Sequence, residues 1–320
     1  MVFVYATAGF LLPFFGIWLW IYLLLRTQYW YVPLLYSMWV IYDRTTCKRG
    51  GWYVPYARDL PCWQTSRDYF PMTLDKTVDL DPNRNYIFGY HPHGIVPAGV
   101  TGNFMLNGGV AGDFRHVFPG IRTFACSLNI LFWIPLYREW IQTFGTIDAS
   151  RESIEHVLTS TGKGNALIIV VGGGQEAFDA KIGAPRLKLA NRKGFVKMAI
   201  RTGTNLVPVF TFGENQLYTQ TVAADGSRLK RFQEFVKNCT TIAPVIFHGR
   251  GVFNYTFGHL PYRRPIHSIV GRPITVKANP NPTQEEIDSL HRLYSDELTK
   301  LFDDNKLQHG FNECDRLSFY

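Results

Sequence analysis

With 320 residues, 46% of them hydrophobic and 15% aromatic, the chain can bury a sizeable core as one large domain or two small ones. A net charge of +8 calls for an anionic partner, and without RNA-binding signatures that partner is a membrane or a small anionic ligand rather than nucleic acid. Five cysteines at wide spacing, with no CxxC pair, exclude a disulfide framework and a cysteine-based zinc site.

The chain opens with 24 uncharged residues, 2–25, enough to cross a bilayer at roughly 20 residues per span. A cleaved leader is a poor match, because no basic segment precedes the run and no small-x-small site follows it. After Arg26-Thr27-Gln28, a second uncharged run covers the 14 residues 29–42. Its shortness and the tight connection predict two crossings or a hairpin dipping into the bilayer, bent at Pro13 or Pro33. Trp30, Tyr31 and Trp39 suit the interface. Arg44, Lys48 and Arg49 outweigh Arg26 and put the rest of the chain on the cytoplasmic side. Residues 1–45 are thus expected to form a membrane-embedded hairpin, and 46–320 a single α/β domain without repeats.

In that domain strands are expected at 86–90, 166–171, 206–212 and 267–270, with helices between them. The stretch 86–99, YIFGYHPHGIVPAG, carries the first chemical signal. A strand loosened at Gly89 runs into His91-Pro92-His93-Gly94, where Pro92 stiffens the chain and Gly94 lets it turn. Two imidazoles are then presented at the carboxyl end of a strand, where open α/β sheets bind ligands. Three readings stay open: satisfied turn histidines, a shared metal, or a general base with a supporting partner. Residues 124–144 are unusually apolar for a soluble helix. They read first as core, and second as a surface lying on a membrane and guiding a greasy substrate.

The second signal is ALIIVVGGGQEA at 166–177. Gly172, Gly173 and Gly174 let the backbone approach a ligand closely and aim N–H groups at an anion or a developing oxyanion. The spacing is neither a P-loop nor a dinucleotide fingerprint. Glu176 is a candidate partner for a histidine, the ordinary alternative being a surface residue at a helix start. Third, Lys181, Arg186, Lys188, Arg192, Lys193, Lys197 and Arg201 fall within 21 residues that contain no acid, which suits a phosphate-bearing ligand better than a merely solvated face. The strand at 206–212 ends in Gly213-Glu214-Asn215, which can line the same pocket. His248 and Arg250 sit in a glycine-rich turn, and Thr283 with Glu286 caps a structural helix whose face carries Ile287, Leu290, Tyr294, Leu298 and Leu301.

Together these features suit acyl transfer from a phosphate-bearing thioester to a lipid hydroxyl: a base takes the hydroxyl proton, backbone N–H groups hold the oxyanion and the basic cluster grips the carrier. No Gly-x-Ser-x-Gly elbow argues for a serine nucleophile. The motifs YHPHG (90–94), FPGIR (118–122), VVGGGQEA (170–177), NRKGFVKMA (191–199), LVPVFTFGEN (206–215), HGRGVF (248–253) and VGRPI (270–274) resemble, in order and spacing, the acyl-CoA:diacylglycerol acyltransferase type 2 family, which includes monoacylglycerol and wax-alcohol acyltransferases. The resemblance implies a glycerolipid-acyltransferase-like mixed sheet flanked by helices. It also implies an endoplasmic-reticulum enzyme facing the cytosol, able to reach lipid droplets, that transfers a fatty acyl group from acyl-CoA to diacylglycerol to make triacylglycerol, the alternative acceptors within the family being monoacylglycerol and a wax alcohol. Acyl-CoA is then a substrate and no cofactor or metal is called for; a homo-oligomer is left open. It makes HPHG the active-site motif, with His93 as base and His91 in support. The glycine loop with Gly94 serves the oxyanion, and Arg186, Lys188, Arg192 and Lys193, with Glu214 and Asn215, serve the acyl-CoA pocket. The chain departs from the pattern in places. The His-x4-Asp of wider glycerolipid acyltransferases is missing, since Val96 and Ala98 stand at the acidic positions; Glu176 is the hypothetical replacement. A neutral-lipid motif FLxLxxxN is interrupted by Pro13, and the short amino end resembles the monoacylglycerol-using branch. Two other classes compete: a zinc hydrolase on His91 and His93 with His248 as third ligand, and a non-enzymatic lipid-droplet hairpin. The sequons at Asn238 and Asn254 are expected to go unused on a cytosolic domain.

Overall fold

A computed structural model describes residues 2–108, 112–179, 183, 185–221, 226–240 and 244–320, with backbone alone at 2–8, 10, 179 and 238–240. Lys181 lies outside them, as does the side chain of Asn238. The chain begins with α1 (Val2–Arg26), α2 (Tyr31–Tyr42), α3 (Pro55–Arg58) and α4 (Cys62–Tyr69), then strands β1 (Met72–Lys76) and β2 (Tyr86–His91). Next come α5 (Phe114–Val117), β3 (Arg122–Ser127), α6 (Tyr137–Thr143), β4 (Thr146–Asp148), α7 (Arg151–Thr159) and β5 (Asn165–Val170). They lead to α8 (Gly173–Asp179), β6 (Arg186–Leu187), α9 (Gly194–Thr202) and β7 (Asn205–Phe212). The chain finishes with β8 (Thr219–Thr221), α10 (Arg228–Thr240), β9 (Ile246–His248), β10 (Ile266–Val270), α11 (Gln284–Asn305) and β11 (Ser318–Phe319).

Seven strands form one mixed sheet in the order β1-β10-β7-β2-β5-β3-β4. From β7 to β4 all neighbours are parallel, while β10 runs antiparallel to β7. β2 therefore lies at the centre, and all six of its residues are buried, as expected for a parallel strand covered on both faces. Alternation along it sorts the side chains. Ile87 packs with α7, α9 and α11 on one face, whereas Tyr86, Phe88 and Tyr90 pack with Val100, Phe104, Phe114 and Phe118 on the other. The four strands expected from apolar runs form within one residue of their expected ends. β1, β3 and β4 went unforeseen.

Local chemistry sets the helices that cover the sheet. Thr283 accepts the N–H of Glu286 while Glu286 accepts that of Thr283, so α11 starts with both ends of a capping box made. Its Ile287, Tyr294, Leu298, Leu301 and Phe302 are buried against the sheet. α9 stops at Gly203, whose φ of +64° is a left-handed cap.

At the amino end α1 and α2 form a hairpin, with the Trp20 indole N–H 3.3 Å from the Pro33 carbonyl and 3.2 Å from Ser37 Oγ. The turn lies between Arg26 and Tyr31, so neither proline makes the bend: Pro13 sits inside α1 and Pro33 in the first turn of α2. Among residues whose side chains are described, no helix is long and apolar enough to cross a membrane. The unbroken stretch of α1 described to the side chain covers 11–26.

The apolar stretch 124–144 is not one helix. It divides into the end of β3, a 3-10 turn (Asn129–Trp133) and α6, because Pro135 lacks an N–H and Leu136 adopts a φ of +66°. Its task is to receive the hairpin. A Cβ on Gly16 would sit 2.0 Å from the Pro135 carbonyl, and the Tyr36 hydroxyl donates to Glu139 at 2.9 Å. Arg138, 1% exposed, binds Asp43 at 2.7 Å and Glu139 at 3.0 Å beneath the Trp39 ring.

Gly89 also has a different reason from the one expected. It does not loosen β2; a Cβ there would stand 1.9 Å from the Tyr294 hydroxyl. Gly89→Ala is therefore expected to cost about 1–3 kcal/mol by overpacking. Gly194→Ala, at the first position of α9 with nothing within 4 Å, should be neutral or stabilise by about 0.4–1 kcal/mol. Denaturant titration of both variants measures the contrast, and equal effects would contradict it.

Candidate active site

The site forms where the central strand ends. β2 delivers His91, and its parallel neighbours deliver the flanks: β5 runs into Gly172 and α8, and β7 into Gly213 and Glu214. The His91-Pro92 peptide is cis, and Gly94 turns with a φ of +61°. A Cβ on Gly94 would lie 2.9 Å from Glu214 Cγ, so close approach demands a glycine here as much as the backbone angle does.

The two histidines have separate environments. His91 is fully buried, and burial pushes its imidazole down to about 3, so it stays neutral. The Tyr294 hydroxyl donates to the Gly89 carbonyl at 3.0 Å, and His91 Nε2 lies 3.0 Å from the hydroxyl oxygen of Tyr294. With the tyrosine O–H directed at the carbonyl, His91 donates from Nε2 to the hydroxyl oxygen, and its Nδ1 has no hydrogen-bond partner among the described residues. His93 is half-buried. Its Nδ1 is 2.9 Å from the Gly94 carbonyl, an acceptor only, which assigns the proton to Nδ1 and leaves the Nε2 lone pair free. Burial also lowers the His93 pKa, with the Gly94 carbonyl opposing the shift. A neutral imidazole with a fixed tautomer can accept a proton.

Glu176, 2% exposed, holds this turn in place. Its Oε1 accepts the backbone N–H of His93 at 2.5 Å, and its Oε2 accepts that of Lys188 at 2.9 Å. The sequence suggested a carboxylate orienting the imidazole; these contacts give Glu176 its hold on the main chain of His93 instead. Gly172 leaves the room, since a Cβ on it would lie 2.1 Å from Glu176 Oε2. Glu214, also 2% exposed, accepts from the Tyr90 hydroxyl at 2.8 Å and from the Gly99 N–H at 3.2 Å. Burial pushes its carboxyl up to about 7. Glu214 thus supports the turn from below, in place of the pocket-lining role expected of it.

The basic cluster is only partly gathered. Arg192 reaches the Gly172 carbonyl at 3.3 Å, and Arg186 and Lys188 lie over the Tyr320 ring at 4.4 and 4.8 Å. Lys193 is engaged elsewhere, 2.7 Å from Asp288 on α11. Gly173, with a φ of +61°, and Gly174 open α8 beside the turn, whereas Asn215 keeps a buried Oδ1 without a hydrogen-bond partner among the described residues. His248 stacks on Phe257, and among the described residues no three His, Cys, Asp or Glu side chains are grouped to hold a metal. Tyr90 and Tyr294 were missed as site residues. One reads as a strand aromatic and the other as part of an apolar helix face; only their hydroxyls hinted at more.

A family model described as diacylglycerol acyltransferase matches residues 22–320. 2-Acylglycerol O-acyltransferase 1 of Bos taurus is 44% identical over 292 residues, covering 91% of this chain and 86% of the relative. The Homo sapiens protein of the same name is 43% identical over 287 residues, covering 90% and 84%. Diacylglycerol O-acyltransferase 2 of Danio rerio is 43% identical over 292 residues, covering 91% and 80%. A solved structure, the 1-acyl-sn-glycerophosphate acyltransferase of Thermotoga maritima, superposes with a TM-score of 0.44 at 10% identity, covering 94% of this chain and 92% of that one.

Two outcomes follow from the carboxylates. Glu176→Gln must set an amide NH2 against one of two N–H donors, and should lower kcat/KM by about thirtyfold, the equivalent of roughly 2 kcal/mol, while circular dichroism stays unchanged. Full activity would contradict that role. Glu214 is protonated in the folded state at pH values where the unfolded chain ionises it, so its contribution to stability is present below about 4.5 and is lost as pH rises through about 7. The melting temperature of the parent relative to Glu214→Gln should therefore fall between pH 5 and 7.5; a flat difference would contradict the burial-raised carboxyl.

Proposed function

This chain belongs to the diacylglycerol acyltransferase family and is an acyltransferase; from that premise we propose that it transfers a fatty acyl group from acyl-CoA to the free hydroxyl of diacylglycerol, forming triacylglycerol. The observation that carries the proposal is His93: neutral, with Nε2 free, at the carboxyl end of the central strand and tied through Glu176 to the glycine turn.

In the proposed reaction the acceptor hydroxyl gives its proton to His93 Nε2 as its oxygen attacks the thioester carbonyl. The tetrahedral oxyanion is met by backbone N–H groups of the 172–174 turn. As the intermediate collapses, the carbon–sulfur bond breaks, the new ester forms, and the thiolate of coenzyme A takes the proton back from His93. No acyl-enzyme is needed. The coenzyme phosphates meet Arg186, Lys188 and Arg192, which carry mobile charge near the turn, rather than Lys193, which Asp288 neutralises. His91 braces the strand end from inside the core.

Monoacylglycerol is the second reading for the acceptor. Relatives named for 2-acylglycerol are 42–44% identical to the chain, and those named for diacylglycerol 42–43%. The apolar side chains exposed along α1 and α2 (Phe14 at 72% and Leu35 at 61% among them) support anchorage in a lipid phase; the family resemblance points to the endoplasmic-reticulum membrane or a lipid droplet as that phase, and the basic residues Arg44, Lys48 and Arg49 favour a cytosolic 46–320.

The test offers labelled oleoyl-CoA to membranes carrying the chain, with diacylglycerol, monoacylglycerol or a long-chain alcohol, in the parent and His93→Ala forms. Triacylglycerol from the parent, and a rate about 10²–10⁴-fold lower from His93→Ala, is the expected result. Transfer that survives the substitution would remove His93 as base; transfer only to another acceptor would overturn the diacylglycerol assignment.

A further inference from the structure

Large apolar side chains are exposed in an uneven pattern. After α4, and among the described residues, they occur at Ile130, Trp133 and Leu136 beside the hairpin, at the isolated Leu293 and Leu307, and otherwise only between 229 and 257. That last segment belongs to a lobe, 219–262, whose described residues are 219–221, 226–240 and 244–262 and which lies in sequence between β7 and β10. On α10, Phe232 and Phe235 face outward, 61% and 66% exposed, while Gln233 turns inward and donates to the Pro244 carbonyl at 2.9 Å. In the loop after β9, Phe253 is fully exposed, and Tyr255 and Phe257 are each 71% exposed. Leaving such aromatics in water is unfavourable, and their concentration in one segment marks a contact surface.

Charge selects the partner. From 219 to 262 the sequence holds five Lys or Arg and two acids, Asp225 and Glu234, a net charge of +3 within the chain's +8. Exposed aromatics on a segment that also carries Arg and Lys in excess over acids match a bilayer interface, where the rings enter the headgroup level and the cations meet anionic lipid. The lobe is also joined to both the hairpin side and the candidate site. Arg250 lies between the rings of Tyr69 and Tyr255 at 5.5 and 4.7 Å, the Tyr69 hydroxyl donates to the Pro261 carbonyl at 2.8 Å, and α4, which carries Tyr69, packs against α1. On its other side Gln220 donates to the Phe178 carbonyl at 2.9 Å and Lys237 to Gln175 at 2.5 Å, both partners on α8 of the glycine turn.

We propose that the 219–262 lobe is a second membrane-contacting surface, separate from the hairpin, that seats the carboxyl end of the sheet on an anionic phospholipid bilayer. The glycine turn and His93 then lie between two lipid contacts, and an acyl chain reaches them without crossing open water. The placement rests on the reading of the hairpin as a membrane anchor, but its test needs no acyl transfer.

The full chain, with Cys62, Cys239 and Cys314 changed to Ser, is reconstituted in vesicles of phosphatidylcholine and phosphatidylserine. A nitroxide is attached at Phe235→Cys, Phe253→Cys or, as a water-exposed reference on α11, Asp296→Cys. Power saturation compares access of oxygen with that of a soluble nickel complex. The expected result is a ratio of oxygen to nickel access several-fold higher at 235 and 253 than at 296. Equal nickel access at all three positions would overturn the proposal, and so would spin–spin broadening at 253, which would assign the patch to a second copy of the chain. Position 257 replaces any site whose label alters the circular dichroism. A chain that docks yet transfers no acyl group separates failure of the proposed activity from failure of the docking surface.

Discussion

The buried carboxylate of Glu176 is the contact on which the candidate site depends. A desolvated carboxylate is tolerated only when its oxygens are satisfied, and each oxygen here takes a main-chain N–H, one from His93 and one from Lys188. Those two bonds join segments 95 residues apart in sequence, the histidine turn and the basic stretch, across the start of α8. The carboxylate fits only because residue 172 has no side chain. Three motifs that look independent in the sequence are thus one device.

The alternation of β2 explains how two neighbouring histidines acquire different characters. Because side chains on a strand point to opposite faces, Tyr90 meets Glu214 on one side while His91 meets Tyr294 on the other. Both carry polar contacts into the core and fix the last residues of the strand. His93 stands beyond Pro92, outside the alternation, and only there does an imidazole keep a nitrogen available for chemistry. Packing places the inner histidine; the turn presents the outer one.

Much of this was legible in the residue pattern and some was not, for physical reasons. β-branched and aromatic runs revealed β2, β5, β7 and β10, because buried central strands must be apolar. β1, β3 and β4 are short or carry polar residues on exposed positions, so no periodicity betrays them. The run 124–144 is apolar because it faces both the core and the hairpin, and its apolar character masks the breaks that Pro135 and the positive φ of Leu136 impose. Glu176 was legible as a residue but not as a role, since a carboxylate that binds backbone amides leaves no partner type in the sequence. The pairing of Lys193 with Asp288 was hidden for a related reason: an absence of acids nearby in sequence says nothing about acids brought near by folding.

Everything proposed for the strand end requires that the protein hold His93 as a neutral imidazole protonated on Nδ1. Nitrogen NMR of the chain labelled at histidine, with His93 assigned by difference from His93→Gln, tests it directly. At neutral pH this residue should show a proton on Nδ1 and a bare Nε2. A proton on Nε2, or an imidazolium, would contradict it and leave the strand end without a ready base.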